Sequence, residues 1–239
     1  MSQMLSVNLT IESNIFLQCN YIHLDPCAPN SGRTFVFSGI KSKSNLINDN
    51  CLVTIDITVC NKNSEFVNLI QFELFVFRFY DMPNGDWSVY GHLMNLETTE
   101  YRQGEIDVFN NWQNGVISDW FSNTFSSDSK LDYISACLTY SGLPTKILDK
   151  NLFQFDLSLI KEERDFYYLA SLELVGDKAY LGHDFHTFRD CFLELYNHNG
   201  FFDNKRVKFI NSIQSDSIEL ANLIDEIKAV FKRYKFYIE

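Results

Sequence analysis

His183 and His186 stand three residues apart, with the carboxylates of Asp184 and Asp190 close in sequence. Two imidazoles and a carboxylate are donors enough for an open divalent-metal site, where the ion would lower the pKa of a bound water for hydrolysis. A metal-dependent hydrolase using His183, His186 and Asp190 is therefore one reading. Against it, no distant third histidine has a matching context, and a histidine pair at an exposed helix start arises readily without an ion. Cys19, His23 and Cys27 recur every four residues, but in a strand that spacing sets successive side chains about 13 Å apart, too far for one ion. The phosphate loops G-x-G-x-x-G and G-x-x-x-x-G-K-[ST], the elbow G-x-S-x-G and the helix motif H-E-x-x-H are all absent. Carboxylates are plentiful, yet the spacing singles out no acid/base pair. The expectation is a protein that is not an enzyme, with no metal, no cofactor and no small-molecule substrate.

The element that must position residues 183–194 is an amphipathic helix. From Asp184 to Tyr196, the side chains Phe185, Phe188, Cys191, Phe192 and Leu195 fall on one apolar stripe. His183, His186, Thr187, Arg189, Asp190 and Glu194 must then point away from the core, several of them side by side at i, i+3 or i+4. Cys191 reads as a small core residue rather than a nucleophile. Leu152 to Leu159 reads as a short strand, and Glu162 to Val175 as a helix with Phe166, Leu169, Leu172 and Val175 on its apolar face. Val207 to Ile210 is a second strand. Asp216 and Glu219 have capping-box spacing before a helix carrying Leu220, Leu223, Ile224, Ile227, Val230 and Phe231. Phe236 to Ile238 is the third strand. The order β-α-α-β-α-β argues a small parallel sheet with crossing helices.

The first hundred residues have a different rhythm. Apolar runs at Gln3–Ile11, Ile15–His23, Thr34–Ile40, Leu52–Cys60, Phe66–Tyr80 and Trp87–Leu96 are separated by short polar breaks such as Glu12-Ser13-Asn14 and Met82-Pro83-Asn84-Gly85-Asp86. Closely spaced reversals mean antiparallel pairing. Both alternation sets of Phe66–Tyr80 are largely apolar, which predicts a strand buried on both faces. Ser127 or Asp128 is placed to cap a helix bearing Leu131, Ile134, Cys137 and Leu138, with Gly142 past its end and Pro144 beyond. The boundary falls at Gly142 to Lys146. The predicted fold class is a two-domain α+β protein: an antiparallel β-rich domain over 1–145 and a small α/β domain with a three-stranded parallel sheet over 147–239. Trp87, Trp112 and Trp120 are expected in the cores.

The 239 residues are 46% hydrophobic, and with 22 Phe and 12 Tyr they exclude wholesale disorder. A net charge of −11 argues against direct nucleic-acid binding, which depends on Lys and Arg displacing counterions. Residues 1–145 hold 15 acidic and 7 basic side chains, a net of −8, and residues 146–239 hold 16 and 13, a net of −3. The start shows no basic segment leading into an apolar one, and the longest apolar stretch, Phe66–Tyr80, is too short and too polar for a bilayer. Six cysteines without a C-x-x-C pair suit reduced thiols. Together these predict a cytoplasmic location and no membrane partner.

The run Tyr180-Leu181-Gly182-His183-Asp184-Phe185-His186-Thr187-Phe188-Arg189-Asp190-Cys191-Phe192, in its β-α-α-β-α-β setting, resembles the barstar family of ribonuclease inhibitors. The resemblance covers about residues 150–239: a strand, a helix, a loop ending in an aromatic-x-Gly signature, a helix that carries Asp-Cys-Leu in the family and Asp190-Cys191-Phe192 in this sequence, then strand, helix and strand. It implies an immunity protein that plugs the active site of a cognate nuclease toxin, a ribonuclease in the first instance. It also implies that the loop and the exposed face of the following helix do the docking. Carried over by position, the loop aromatic is Tyr180 and the helix acid beside the cysteine is Asp190. His186 stands where the family has an earlier acid, Arg189 where it has a bulky apolar contact, and Arg233 replaces an acid on the last helix. These departures argue against a barnase-type enzyme as the partner and leave open a different toxin with a less uniformly basic active site. The implied partner-binding set is Tyr180, His183, Asp184, His186, Thr187, Arg189, Asp190, Glu194 and Arg233. A further alternative makes the C-terminal module an adaptor and gives recognition to the N-terminal β domain.

Overall fold

In the first half of the chain, apolar and polar side chains alternate along six strands that pair into a closed barrel. The computed structural model describes residues 3–25, 32–44, 49–94, 101–116, 119–122, 125–214 and 217–239, and the chain divides into two compact units, Met1–Ser118 and Asp119–Glu239. In the first unit β1 (Leu5–Ile11), β2 (Asn14–Asp25), β3 (Arg33–Lys43), β4 (Cys51–Cys60), β5 (Phe66–Asp81) and β6 (Trp87–Leu93) pair antiparallel in the order β1-β2-β3-β6-β5-β4. The β1–β4 ladder, from Leu5 opposite Val59 to Thr10 opposite Thr54, closes the circle and leaves no edge among these strands. Glu12 and Ser13 both take positive φ, the conformation that a two-residue hairpin turn between Ile11 and Asn14 demands. Inside lie Leu5, Val7, Leu9, Val53, Ile55, Ile57, Val59, Phe72, Leu74 and Val76, all fully buried.

The expectation for Phe66–Tyr80 is corrected here. Phe72, Leu74 and Val76 face the interior, whereas Phe66, Phe77 and Tyr80 are exposed. A closed sheet has one interior, so the outward set stays at the surface, where aromatic rings shelter one another: Phe75 on Phe77 and Phe77 on Tyr90, each at 5.6 Å between centroids. The helix α1 (Gln103–Gln113) carries no label in the sequence reading, because Gly104 and the Asn110-Asn111 pair weaken its helix propensity. Tertiary contacts hold it. Gln113 Oε1 accepts from the Met4 and Leu5 amides (3.0 and 3.2 Å), Gln103 Oε1 from the Leu24 amide (2.9 Å), and the Tyr21 hydroxyl donates to Asp107 (2.7 Å).

The second unit holds α2 (Ser127–Ser141), β7 (Leu152–Asp156), α3 (Glu163–Leu174), α4 (Phe185–Asn199), β8 (Arg206–Ile210), α5 (Ile218–Arg233) and β9 (Tyr237–Ile238). Its three strands are parallel in the order β7-β8-β9, with Phe155 beside Phe209 and Val207 beside Ile238. The molecule is thus mixed α+β, with a six-stranded antiparallel barrel and a separate three-stranded parallel sheet. Parallel pairing needs crossovers, which α3 with α4, and then α5, supply.

Helix α2 groups with this second unit, so the division falls at 118/119 rather than at Gly142 to Lys146. The reason is a buried charge. Lys130 Nζ lies 2.7 Å from Asp165 Oδ1 and 2.8 Å from Glu162 Oε1, and Asp165 also accepts from Trp120 Nε1 at 2.8 Å. That cluster turns α2 so that Lys130, Tyr133, Ile134, Ala136 and Cys137 are buried while Leu131 and Leu138, expected on the stripe, are 37% and 39% exposed. On α3, Leu172 is likewise exposed and Val175 half-buried, and the buried face is Phe166, Tyr167, Leu169, Ala170 and Leu174. The cap of α2 is Ser126, whose Oγ accepts from the Ser129 amide (3.2 Å), in place of Ser127 or Asp128. Ser217 caps α5, its Oγ accepting from the Leu220 amide (3.3 Å); Asp216 lies outside the described residues, as do Cys27 and Leu96. All three tryptophans are buried. The Cys19 side chain is fully buried, its thiol pushed up to about 12 by that burial, and Cys19, Cys51, Cys60, Cys137 and Cys191 are all free. Divided at 118/119, the charge is −6 and −5, from 12 acidic and 6 basic side chains against 19 and 14. No helix among the described residues is long and apolar enough to cross a membrane.

Candidate partner-binding groove

The start of α4 is fixed by a reciprocal cap. Asp184 Oδ1 accepts from the Thr187 amide at 2.7 Å, and Thr187 Oγ1 accepts from the amides of Asp184 (3.2 Å) and His183 (3.0 Å). Burial works against the Asp184 charge, but the Thr187 amide and hydroxyl, with His183 and His186 near by, outweigh it and hold the carboxyl below its ordinary value. Asp184 and Thr187, both in the implied binding set, therefore spend their hydrogen bonds on orienting the helix. The loop before them approaches α4 so closely that a Cβ on Gly182 would lie 2.5 Å from the Phe188 nitrogen, and Gly182 has φ +103°. Only glycine fits there.

Tyr180 is the clearest correction to the implied docking set. It is 4% exposed, packed under the loop, and burial pushes its phenol above the ordinary value. Its hydroxyl meets His183 Nδ1 at 3.1 Å, and His183 Nε2 lies 3.5 Å from Asp184 Oδ2. Tyr180 is thus a prop for the loop, and His183 is held at the surface by it. His186 is exposed, and Glu194 lies 4.0 Å from His198 Nε2 one turn on. Cys191 is 1% exposed, and burial, with Asp190 and Glu194 near, pushes its thiol up to about 12, so it is core and not a nucleophile at neutral pH.

Among the described residues no three His, Cys, Asp or Glu side chains gather closely enough to hold one ion. His183, His186 and Asp190 do not converge, because His183 is turned to Tyr180 and Asp184 at the cap while Asp190 lies beside the neighbouring helix. The hydrolase reading loses its donor set.

What the fold does bring together is Arg189, Asp190 and Arg233, three members of the implied set carried by two helices. They line a groove of about 300 Å³ between α4 and α5. Phe185, Leu193, Val230 and Tyr234 provide its apolar lining, and Ala229 leaves it open where a longer side chain would fill it. Phe185, expected on the core stripe, is only half-buried here, and Leu193 is 47% exposed. A second depression of about 430 Å³ shares Phe185 and Glu226 with the first and continues to Glu163, Glu219, Leu220 and Leu223 at the N-terminal ends of α3 and α5. None of Arg189, Asp190, Glu226, Arg233 or Glu219 has an opposite charge within 4 Å among the described residues, and the Arg189 guanidinium lies over the Phe185 ring at 5.8 Å.

The residues that sequence reasoning passed over are Leu193, Glu219, Glu226 and Tyr234. Glu219, Asn222, Glu226, Ala229 and Arg233 recur at i, i+3 and i+4 along α5, which marks them as one outward stripe, but only the packing of α5 beside α4 makes that stripe a groove wall. Protein-family models, curated proteins and solved structures yield no match to this chain.

Proposed function

We propose that the protein is a cytoplasmic immunity protein whose barstar-like C-terminal unit binds a cognate nuclease toxin and covers its active site, excluding RNA or DNA. One observation carries the reading: Arg189, Asp190 and Arg233 line one open groove on two adjacent helices, each without an ion-pair partner among the described residues. Charges of both signs that stay unpaired across a shared groove can be satisfied by a complementary surface without first breaking internal pairs. The order β7-α3-α4-β8-α5-β9 around a parallel sheet, with Gly182 needed where the loop meets α4, also supports it. Docking would be by residues of α4 and α5, with His183 and His186 at the rim, and with Tyr180, Asp184 and Thr187 holding the loop and helix start in place. The protein's own acidity suits steering of a basic partner.

Copurification from the native host, followed by a nuclease assay on the recovered partner, tests this. The expected result is a nuclease inhibited stoichiometrically by the protein and competed by its own substrate, with Asp190→Arg weakening inhibition at least ten-fold. Recovery of no nuclease, together with no protection against a toxin encoded beside the gene, overturns it.

A further inference from the structure

The α4–α5 face carries charges of both signs. Tyr196 of α4 lies 5.6 Å between ring centroids from Tyr234, the residue that follows α5, and Phe192 lies 5.7 Å from the same ring, so the C-terminal ends of the two helices meet. At the other end Phe185, the first residue of α4, shares a depression with Asn222 and Glu226. The helices therefore run side by side in the same sense. On α5 Glu219 lies in the first turn, Glu226 near the middle and Arg233 at the last residue; on α4 Arg189 lies over the Phe185 ring, with Asp190 next to it. At 1.5 Å per residue, Glu226 and Arg233 are about 10 Å apart along α5, and Glu219 lies about 10 Å further back. Apolar side chains of Phe185, Leu193 and Val230 line the interval.

We infer that this groove takes a surface segment of a partner protein that carries both signs of charge: a carboxylate for Arg189 and Arg233, and an ammonium or guanidinium for Glu226 and Glu219, flanking an apolar residue. The inference rests on the reading of this face as the docking surface and specifies its occupant. A uniformly basic cleft would meet two arginines here, and a polyphosphate would meet Glu226 and Asp190, so each is opposed by half of the groove. The spacing sets the pattern. Opposite charges about 10 Å apart fall seven residues apart on a helix, or three apart in an extended segment.

Panning a phage-displayed library of 16-residue peptides on the immobilised full-length protein tests this, with Arg189→Glu/Arg233→Glu as a parallel target. Peptides with an acid and a base at one of those spacings around an apolar residue should be enriched at least ten-fold on the wild-type protein, and their acid should give way to a base on the variant. Arg189→Gln/Arg233→Gln should lower the enrichment without reversing it, with helical circular dichroism and unfolding midpoint unchanged in both variants. Enrichment of uniformly basic peptides that ignore the arginines, or no enrichment at all, overturns the inference. So does an RNA oligonucleotide that binds the wild-type protein and not the Arg189→Glu/Arg233→Glu variant, because it assigns the arginines to phosphate. A nuclease neutralised equally well by wild type and by that variant overturns this inference while leaving inhibition standing. Mixed-sign enrichment without any nuclease partner would do the reverse.

Discussion

Lys130→Met should unfold the second unit at a markedly lower temperature while leaving the barrel intact. Asp165 is fully buried and its carboxylate takes four donors: Lys130 Nζ at 2.7 Å, Trp120 Nε1 at 2.8 Å, and the amides of Lys161 and Glu162 at 2.9 and 3.0 Å. The substitution keeps the apolar stem of Lys130, which is itself 7% exposed, and removes only the ammonium. Taking one partner from a buried ion pair costs about 3–5 kcal/mol, and because three N–H donors remain on Asp165 the lower end, about 3 kcal/mol, is expected. For a unit of about 120 residues that is a fall of roughly 10–15 °C in Tm. Trp120 is the single tryptophan of this unit, stacked on Tyr168 at 4.2 Å, so its fluorescence follows the transition, and hydrogen exchange should show α2 amides losing protection before those of β1–β6. Replacing both partners, as Lys130→Met/Asp165→Leu, should not recover the loss, because Trp120 Nε1 and the amides of Lys161 and Glu162 then lose their acceptor. A single Lys130→Met variant within about 1 kcal/mol of wild type would refute the account of why α2 belongs to this unit.

Two further outcomes follow from the loop and cap. Asp184→Ala should cost about 1 kcal/mol by urea unfolding, as loss of an N-cap does. Because the Asp184 carboxyl is held below its ordinary value of 3.8 in the folded protein, its contribution is present above that value and lost as pH falls through the lower folded one; the stability difference between wild type and variant should therefore shrink with acidification, and a constant difference would contradict this. Gly182→Ala forces a side chain into φ +103° and against the Phe188 backbone, so it should cost roughly 1–3 kcal/mol for the strain before the clash is counted, and raise exchange at the start of α4; an unperturbed midpoint would show that the loop relaxes freely.

Local pattern was enough for some of this molecule. The alternation in Val53, Ile55, Ile57 and Val59, the polar reversals and the stripe Phe188, Cys191, Phe192 and Leu195 placed six strands and α4 within a few residues of where they lie, because period-2 and period-3.6 burial is written in the order of side chains. Closure of the barrel is not written there: the β1–β4 ladder joins residues about fifty apart, and only that closure exposes Phe66, Phe77 and Tyr80. The allegiance of α2 likewise depended on Lys130 meeting Asp165 across 35 residues, a pairing that no local spacing announces. At the candidate site, sequence supplied Arg189, Asp190 and Arg233 as outward side chains, but burial of Tyr180 and the capping duty of Asp184 and Thr187 were decided by how the loop folds under α4. Which charges share a surface was a tertiary matter altogether, since Glu226 and Arg233 line one groove with Arg189 only when α5 is laid beside α4. Residue order settles which way a side chain faces within its own element; the packing of elements settles what it faces.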